Sequence, residues 1–315
     1  MNTTQQKLER VIENIEKVMI GKKEVAELSV VALLAGGHVL LEDVPGVGKT
    51  MMVRALSKSI GAEFKRIQFT PDLLPSDVIG VSIYNPKELQ FEFRPGPIMG
   101  NIILADEINR TSPKTQSALL EAMEEGSVTI DGVTKRLESP FFVMATQNPI
   151  EYEGTYPITR STAPIPIKNE DGLPRYSEEM EVLNRAQRTP PIEHLTSVMT
   201  VEELIEIQDE VREVFVDETI KKYMVELVNK TRTHNSVYLG ASPRGTIALM
   251  RASQALALLK GRSFVLPDDV QYLAPFILSH RMILKPEARY EGILAEEILA
   301  RIVATMPVPV QKVVR

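Results

Sequence analysis

The chain has 315 residues, 43% of them hydrophobic, and no cysteine, which excludes disulfides, thiolate metal sites and cysteine nucleophiles. Acidic residues outnumber basic ones 42 to 36, for a formal net charge of -6, a surface that argues against non-specific nucleic-acid binding as the main activity. The length exceeds that of a usual single domain and leads us to expect one large domain and a smaller one. Residues 1–10 lack the apolar centre of a signal peptide, and the longest apolar stretch, 28–41, is broken by Ser29 and His38 and is too short to span a bilayer. The expectation is a cytoplasmic protein without membrane insertion.

Val11, Ile12, Ile15, Val18 and Met19 recur at helical spacing and predict an amphipathic helix over 8–19, closed by Gly21. A second helix is expected over 24–35, stopped by Gly36-Gly37. His38-Val39-Leu40-Leu41 is a short continuous apolar run of the kind a buried parallel strand takes. The glycine-rich Val44-Pro45-Gly46-Val47-Gly48-Lys49-Thr50 stands between that strand and a helix over 50–60, and 64–69 reads as a second strand. Residues 78–97 read as a hairpin, with Val81-Ser82-Ile83-Tyr84 and Phe91-Glu92-Phe93 flanking Asn85-Pro86-Lys87. A buried strand over 101–107 ends in Asp106-Glu107. A helix over 113–125 closes at Gly126, and Asp131-Gly132 marks a two-residue hairpin turn. Residues 141–145 form a further buried strand that ends at Thr146-Gln147-Asn148. Strands alternating with helices around such a loop indicate a doubly wound parallel α/β domain over 1–176. Helical spacing then recurs over 177–188, 200–215, 217–232, 244–260 and 268–278, which reads as a helical domain over 177–315.

A strand-to-helix loop such as Gly46-Val47-Gly48-Lys49-Thr50 presents backbone N–H groups that cradle the phosphates of ATP. Lys49 would reach the β and γ phosphates and the Thr50 hydroxyl would hold magnesium. The full pattern has glycine where this chain has Asp43. Asp106, at the end of a buried strand, can hold Mg2+ through water, and Glu107 can polarise the attacking water. Two acids after an apolar run are often only a solvated strand end; the pairing with Lys49-Thr50 favours catalysis. Asn148 ends a third apolar strand on the edge where open α/β sheets bind ligands, and it could orient the water or report the γ-phosphate. Ser242-Pro243-Arg244 opens a helix in the second half, with Ser242 as N-cap. An arginine there opposes the helix dipole, which points to a nearby anion.

In order and content these motifs resemble the MoxR-type AAA+ ATPases. The resemblance rests on Gly36 through Thr50, on Phe91-Glu92-Phe93-Arg94-Pro95-Gly96-Pro97, and on Ala105-Asp106-Glu107-Ile108-Asn109-Arg110 running into Pro113-Lys114-Thr115-Gln116. It is completed by residues 121–132, Ala145-Thr146-Gln147-Asn148-Pro149 and Gly240-Ala241-Ser242-Pro243-Arg244-Gly245. It implies a P-loop AAA+ sheet with a C-terminal helical lid, and it makes Asp43 a variation the family tolerates. It also implies a nucleotide site from Asp43, Pro45, Gly46, Val47, Gly48, Lys49 and Thr50, and Walker B at Asp106-Glu107. Sensor 1 would be Asn148 and sensor 2 Arg244. Residues 78–97 would be a hairpin insert facing a central pore. The family's chemistry is ATP hydrolysis with Mg2+ in a ring, usually of six subunits. Its biology is chaperone-like remodelling or maturation of client proteins, with partners bearing von Willebrand factor A domains. A DNA-directed motor is disfavoured, because Lys87 and Arg94 in the hairpin stand against Asp77, Glu88 and Glu92.

One segment departs from this resemblance. After Glu153-Gly154-Thr155-Tyr156-Pro157 the family continues with a leucine, then roughly Pro-Glu-Ala-Gln-Leu-Asp-Arg-Phe, and a hydrophobic strand. Residues 158–175 instead carry Pro164, Pro166 and Pro174, which argue against a helix or a central strand. The arginine lost here resembles an arginine finger; Arg160 is in the wrong context to replace it, while Arg110 could face a neighbouring site. The expectations are a damaged strand in the core sheet and nucleotide binding with weak or absent turnover, so a nucleotide-responsive binding module is the alternative to an active motor. A pair of compensating frameshifts would produce such a run, since codons for the family's residues read one base out of frame can give Ser161-Thr162-Ala163-Pro164-Ile165-Pro166. An unbroken in-frame read of the gene with clean flanks would overturn sequencing error as its origin.

Overall fold

The computed structural model describes residues 3–42, 48–147, 165–168, 180 and 191–309. In chain order the first of two compact units contains α1 (Thr3–Val18), α2 (Lys23–Leu34), β1 (Val39–Glu42), α3 (Lys49–Ser59), β2 (Phe64–Gln68), α4 (Pro75–Ile79), β3 (Gly80–Asn85) and β4 (Gln90–Pro95). It continues with β5 (Ile102–Asp106), α5 (Pro113–Glu125), β6 (Ser127–Ile130), β7 (Val133–Arg136), β8 (Phe142–Gln147) and β9 (Ile165–Lys168). This unit covers residues 7–205; the second takes 206–315 together with 1–6.

Five strands form a parallel sheet in the order β2-β5-β8-β1-β9. The continuous apolar runs suit it because each central strand is buried on both faces. Leu40, Ile103, Ala105, Val143 and Ala145 enter a core with Leu119 and Met123 of α5. The alternate residues Val39, Leu41, Ile102, Leu104, Phe142 and Met144 are equally buried. Helix α5 starts on Ser112-Pro113 and stops at Gly126, whose backbone is left-handed. In the turn between β6 and β7, Asp131 and Gly132 both take positive φ, as a tight hairpin of this hand requires.

In the segment where a damaged core strand is expected, β9 pairs parallel with β1 from Val39↔Ile165 to Glu42↔Lys168. Pro166 is tolerated there because β9 is the outermost strand and needs ladder bonds on one side only. The remainder of 158–175, and the helix expected over 177–188 apart from Met180, lie outside the described residues.

Strands β3 and β4 form an antiparallel hairpin from Gly80↔Pro95 to Asn85↔Gln90. Its base depends on two glycines: a Cβ on Gly96 would stand 2.3 Å from the Val78 carbonyl oxygen, and one on Gly80 would stand 2.5 Å from that of Arg94. Phe93 is partly buried and packs against the core, while Val81, Tyr84, Leu89 and Phe91 remain exposed.

Helix α6 (Val201–Glu213) precedes the helices of the second unit, which are α7 (Glu218–Thr233), α8 (Pro243–Leu259), α9 (Pro267–Leu278), α10 (Pro286–Tyr290) and α11 (Ala295–Thr305). A short antiparallel pair, β10 (Val237–Leu239) with β11 (Ile283–Leu284), joins them. Leu227, Leu249, Val270, Leu273, Ile277 and Leu299 make its core. Asp269, 1% exposed, is compensated by both arms of Arg262 at 2.7 and 2.8 Å and by the Leu266 N–H at 2.9 Å. A carboxylate can be buried in this way only with such partners. Among the described residues no helix is long and apolar enough to cross a membrane.

His38 ties the sheet to α5. Its Nδ1 accepts from the Val143 N–H at 3.0 Å, so Nε2 carries the hydrogen and donates to the Met123 carbonyl at 2.9 Å. Burial lowers its pKa from 6.5 to about 4, opposed in part by the Met123 hydrogen bond. Between these values the unfolded chain takes up a proton that the folded chain refuses. The stability contributed by neutral His38 is therefore complete above pH 6.5 and is lost as pH falls toward 4. His38 as a whole residue is only partly buried, and we expect a loss of about 1–3 kcal/mol. Urea unfolding across this range should show a flatter pH dependence in His38→Gln than in the parent chain.

Candidate active site

The parallel register brings strand ends together. Gln68 lies opposite Asp106, and Glu42 opposite Gln147, so the carboxyl ends of β2, β5, β8 and β1 share one edge of the sheet. At successive spacings of about 4.8 Å, the ends of β1 and β5 stand about 10 Å apart across β8. Glu42 accepts a hydrogen bond from Gln147 at 2.5 Å.

Helix α3 opens from this edge. Gly48 precedes it with φ +83° and ψ 16°, a left-handed conformation that disfavours a side chain. A Cβ there would also meet the Met19 sulfur at 2.9 Å. The Gly48 carbonyl accepts from the Met51 and Met52 N–H groups, and Lys49 and Thr50 occupy the first turn, which contains no acidic residue. Asp43, Pro45, Gly46 and Val47 lie outside the described residues, and so does Asn148.

Asp106 and Glu107 close β5. Asp106 Oδ1 accepts from the Thr146 hydroxyl at 2.6 Å, and Oδ2 accepts from Arg66 at 2.7 Å. The same Thr146 oxygen accepts from the Glu107 N–H at 2.9 Å. Glu107 itself is left-handed, φ +58° and ψ 48°, and turns the chain from the strand into a short 3-10 turn over 108–110. Its Oε2 accepts from Gln68 at 2.8 Å and from Arg110 at 2.9 Å. Arg110 thus lies against Glu107 of its own chain. The sequence reading missed Arg66, Gln68 and Thr146: only the strand register reveals them, although the alternation of β2 made Arg66 and Gln68 candidates for one shared face.

In the second unit Ser242 occupies the N-cap of α8 with extended backbone, but its hydroxyl makes no capping bond. Arg244 is exposed in the first turn, where there is no acidic residue. Arg281, whose Nε donates to the Ile277 carbonyl at 3.0 Å, lies close enough to feel its charge. Burial first, and the like charge of Arg244 second, lower the pKa of Arg281.

The strand order, the lysine-bearing helix that follows β1 and the acidic end of β5 define a P-loop AAA+ core, here with a C-terminal helical lid. Residues 38–163 match the family described as ATPases associated with various cellular activities, and 229–302 match the AAA lid domain. The chain is 64% identical to YeaC of Bacillus subtilis, a protein described as uncharacterized, over 97% of this chain and 96% of that one. It is 40% identical to the chaperone MoxR1 of Mycobacterium tuberculosis, over 96% of this chain and 82% of that one. A crystal structure of a protein provisionally described as an ATPase, from Cytophaga hutchinsonii, superposes with a TM-score of 0.89 at 39% identity, covering 97% of this chain and 96% of that one. The chain belongs to the MoxR-related AAA+ ATPases.

Thr146 is almost fully buried, and its one hydroxyl serves both acidic residues. Replacing it with valine leaves the Glu107 N–H and Asp106 Oδ1 without that partner. Thr146→Val should destabilise the fold by about 1–3 kcal/mol in denaturant unfolding, and Thr146→Ser by clearly less.

Proposed function

We propose that this chain binds ATP with magnesium and hydrolyses it, as the motor of a MoxR-like assembly that remodels or matures client proteins. The observation that carries the reading is the paired end of β5, where Thr146 holds Asp106 and Glu107 on the sheet edge from which α3 opens. The loop from Asp43 and Pro45 through Gly46, Val47 and Gly48 would wrap the phosphates with backbone N–H groups, and Lys49 would meet their charge. Magnesium suits the donors present: the Thr50 hydroxyl and the Asp106 carboxylate are hard oxygen ligands of the kind that ion takes, with water completing its shell. When bound, it supplies positive charge that offsets the charge on the phosphoryl oxygens. Glu107 would polarise the attacking water once its carboxylate turns from Gln68 and Arg110. Asn148 and Arg244 would serve as sensors 1 and 2, with Arg244 meeting the γ-phosphate.

Similarity to a protein named as a chaperone supports the client-directed role. A hexameric ring and a partner with a von Willebrand factor A domain follow from the family resemblance, and a cytoplasmic setting is taken as the default location. The atypical sequence over 158–175, without the arginine the family carries there, favours a second reading: a nucleotide-responsive module that assembles and recruits but scarcely hydrolyses. The loss of such an arginine costs orders of magnitude in rate.

Steady-state hydrolysis with magnesium, beside nucleotide binding, separates these readings. An active motor should lose at least about a hundredfold in turnover in Glu107→Gln while still binding ATP, and Lys49→Ala should lose both. Binding that depends on Lys49, without turnover in the parent chain, would establish the second reading. No binding at all would overturn both.

A further inference from the structure

Strand β8 ends in two consecutive polar side chains, and alternation along a strand sends them to opposite faces of the sheet. Thr146 serves Asp106 and Glu107. Gln147 serves β1: the register sets it beside Glu42, and its amide nitrogen donates to Glu42 Oε1 at 2.5 Å. The pair continues the face on which Leu40 and Ala145 enter the core with α5. Both residues are half-buried, so charge there is screened less than on an open surface. A carboxylate offers acceptors only, and it therefore fixes the Gln147 amide with its nitrogen toward β1. Glu42 occupies an awkward place. It is the last residue of β1 and stands directly before the loop that would wrap the phosphates of ATP, with Lys49 beyond it at the start of α3. A negative charge at that threshold opposes a polyanion.

We propose that Gln147 is a positioning residue for nucleotide binding, which holds the Glu42 carboxylate toward β8 and off the phosphates. The inference rests on the ATPase reading above. The hydrogen bond acts in two ways. It ties the carboxylate to the neighbouring strand, so that rotation about the side-chain bonds of Glu42 cannot swing the charge along the edge toward the loop. It also sets the positive end of the amide dipole against that charge. The partner in this bond is uncharged, unlike the arginines that meet Asp106 and Glu107, so the bond steers the charge of Glu42 and does not cancel it. Gln147 needs no contact with the nucleotide to affect its binding, because it acts through Glu42. Loss of the amide frees a negative charge that Lys49 and the backbone N–H groups of the loop then have to outweigh.

The test reads affinity without turnover. Binding of a non-hydrolysable ATP analogue and of ADP to the full chain, with magnesium, is followed by calorimetry in the parent, Gln147→Met, Glu42→Gln, the Glu42→Gln/Gln147→Met double variant and Lys49→Ala. Methionine keeps the length of glutamine and removes the donor. Gln147→Met should weaken binding of the ATP analogue by about two- to tenfold, and of ADP, which carries less charge, by less. The loss should shrink as salt rises from about 0.05 to about 0.5 M. Glu42→Gln should bind at least as tightly as the parent. Because the penalty comes from the charge of Glu42, the double variant should recover the affinity that Gln147→Met loses, whereas a merely structural role would leave it weaker still. Unchanged affinity in Gln147→Met, with binding still dependent on Lys49, overturns the proposal; so does a loss that salt leaves unchanged or that Glu42→Gln fails to restore. If the parent chain shows no Lys49-dependent nucleotide binding, the ATPase reading fails first, a result distinct from any of these. Should Gln147→Met fold poorly by circular dichroism, Gln147→Ala replaces it, with the same shift expected.

Discussion

The hydroxyl of Thr146 holds the acidic end of β5 in place. It donates to Asp106 and accepts from the Glu107 N–H, so one buried atom fixes a side chain on one residue and the backbone of the next. It can do so because β5 and β8 run parallel in register, Ala105 beside Ala145, which sets the residue after each pair at the same height. Removal of the register would scatter these contacts along the sheet. The doubly buried strands matter to the site for this reason: their apolar faces lock the register, and the register sets the polar ends.

The remaining partners approach from the flanks of that edge. Arg66 and Gln68 come from β2, on one side of β5, and Arg110 comes from the 3-10 turn that follows it. From the other side Glu42 of β1 meets Gln147 of β8. The carboxylates of Glu42, Asp106 and Glu107 thus lie at this edge, and each has a hydrogen-bond donor.

Much of this was legible from the chain. The apolar runs 39–41 and 101–105 announce buried strands because nothing but a two-sided core explains them, and Ser112-Pro113 with Gly126 bounds α5 closely. The hairpin turn at Asp131-Gly132 was equally plain, since both residues accept positive φ. What could not be read was pairing across distance. Thr146 looks like any threonine near a strand end, and its role depends on which strand lies beside it. Arg66 and Gln68 sit in Phe64–Gln68, a strand of mixed character whose neighbour is set by topology rather than by local sequence. The pair β10 and β11 was missed because strands of three and two residues carry no periodic signal. Helix α11 was missed although Ile298, Leu299 and Ile302 mark its buried face. The strand at 165–168 was obscured by Pro166, a residue that excludes a central position but not an outermost one.

Glu107 has a consequence for how such a chain ages under mutation. Its left-handed backbone costs a non-glycine residue about 1–3 kcal/mol, held in place by the contacts around it. Glycine would relieve that strain and remove the carboxylate in one step. Folding alone would therefore favour glycine over the acid at this position. Glutamate at position 107 thus stands where the backbone alone favours glycine, and the contacts from Thr146, Gln68 and Arg110 hold it there.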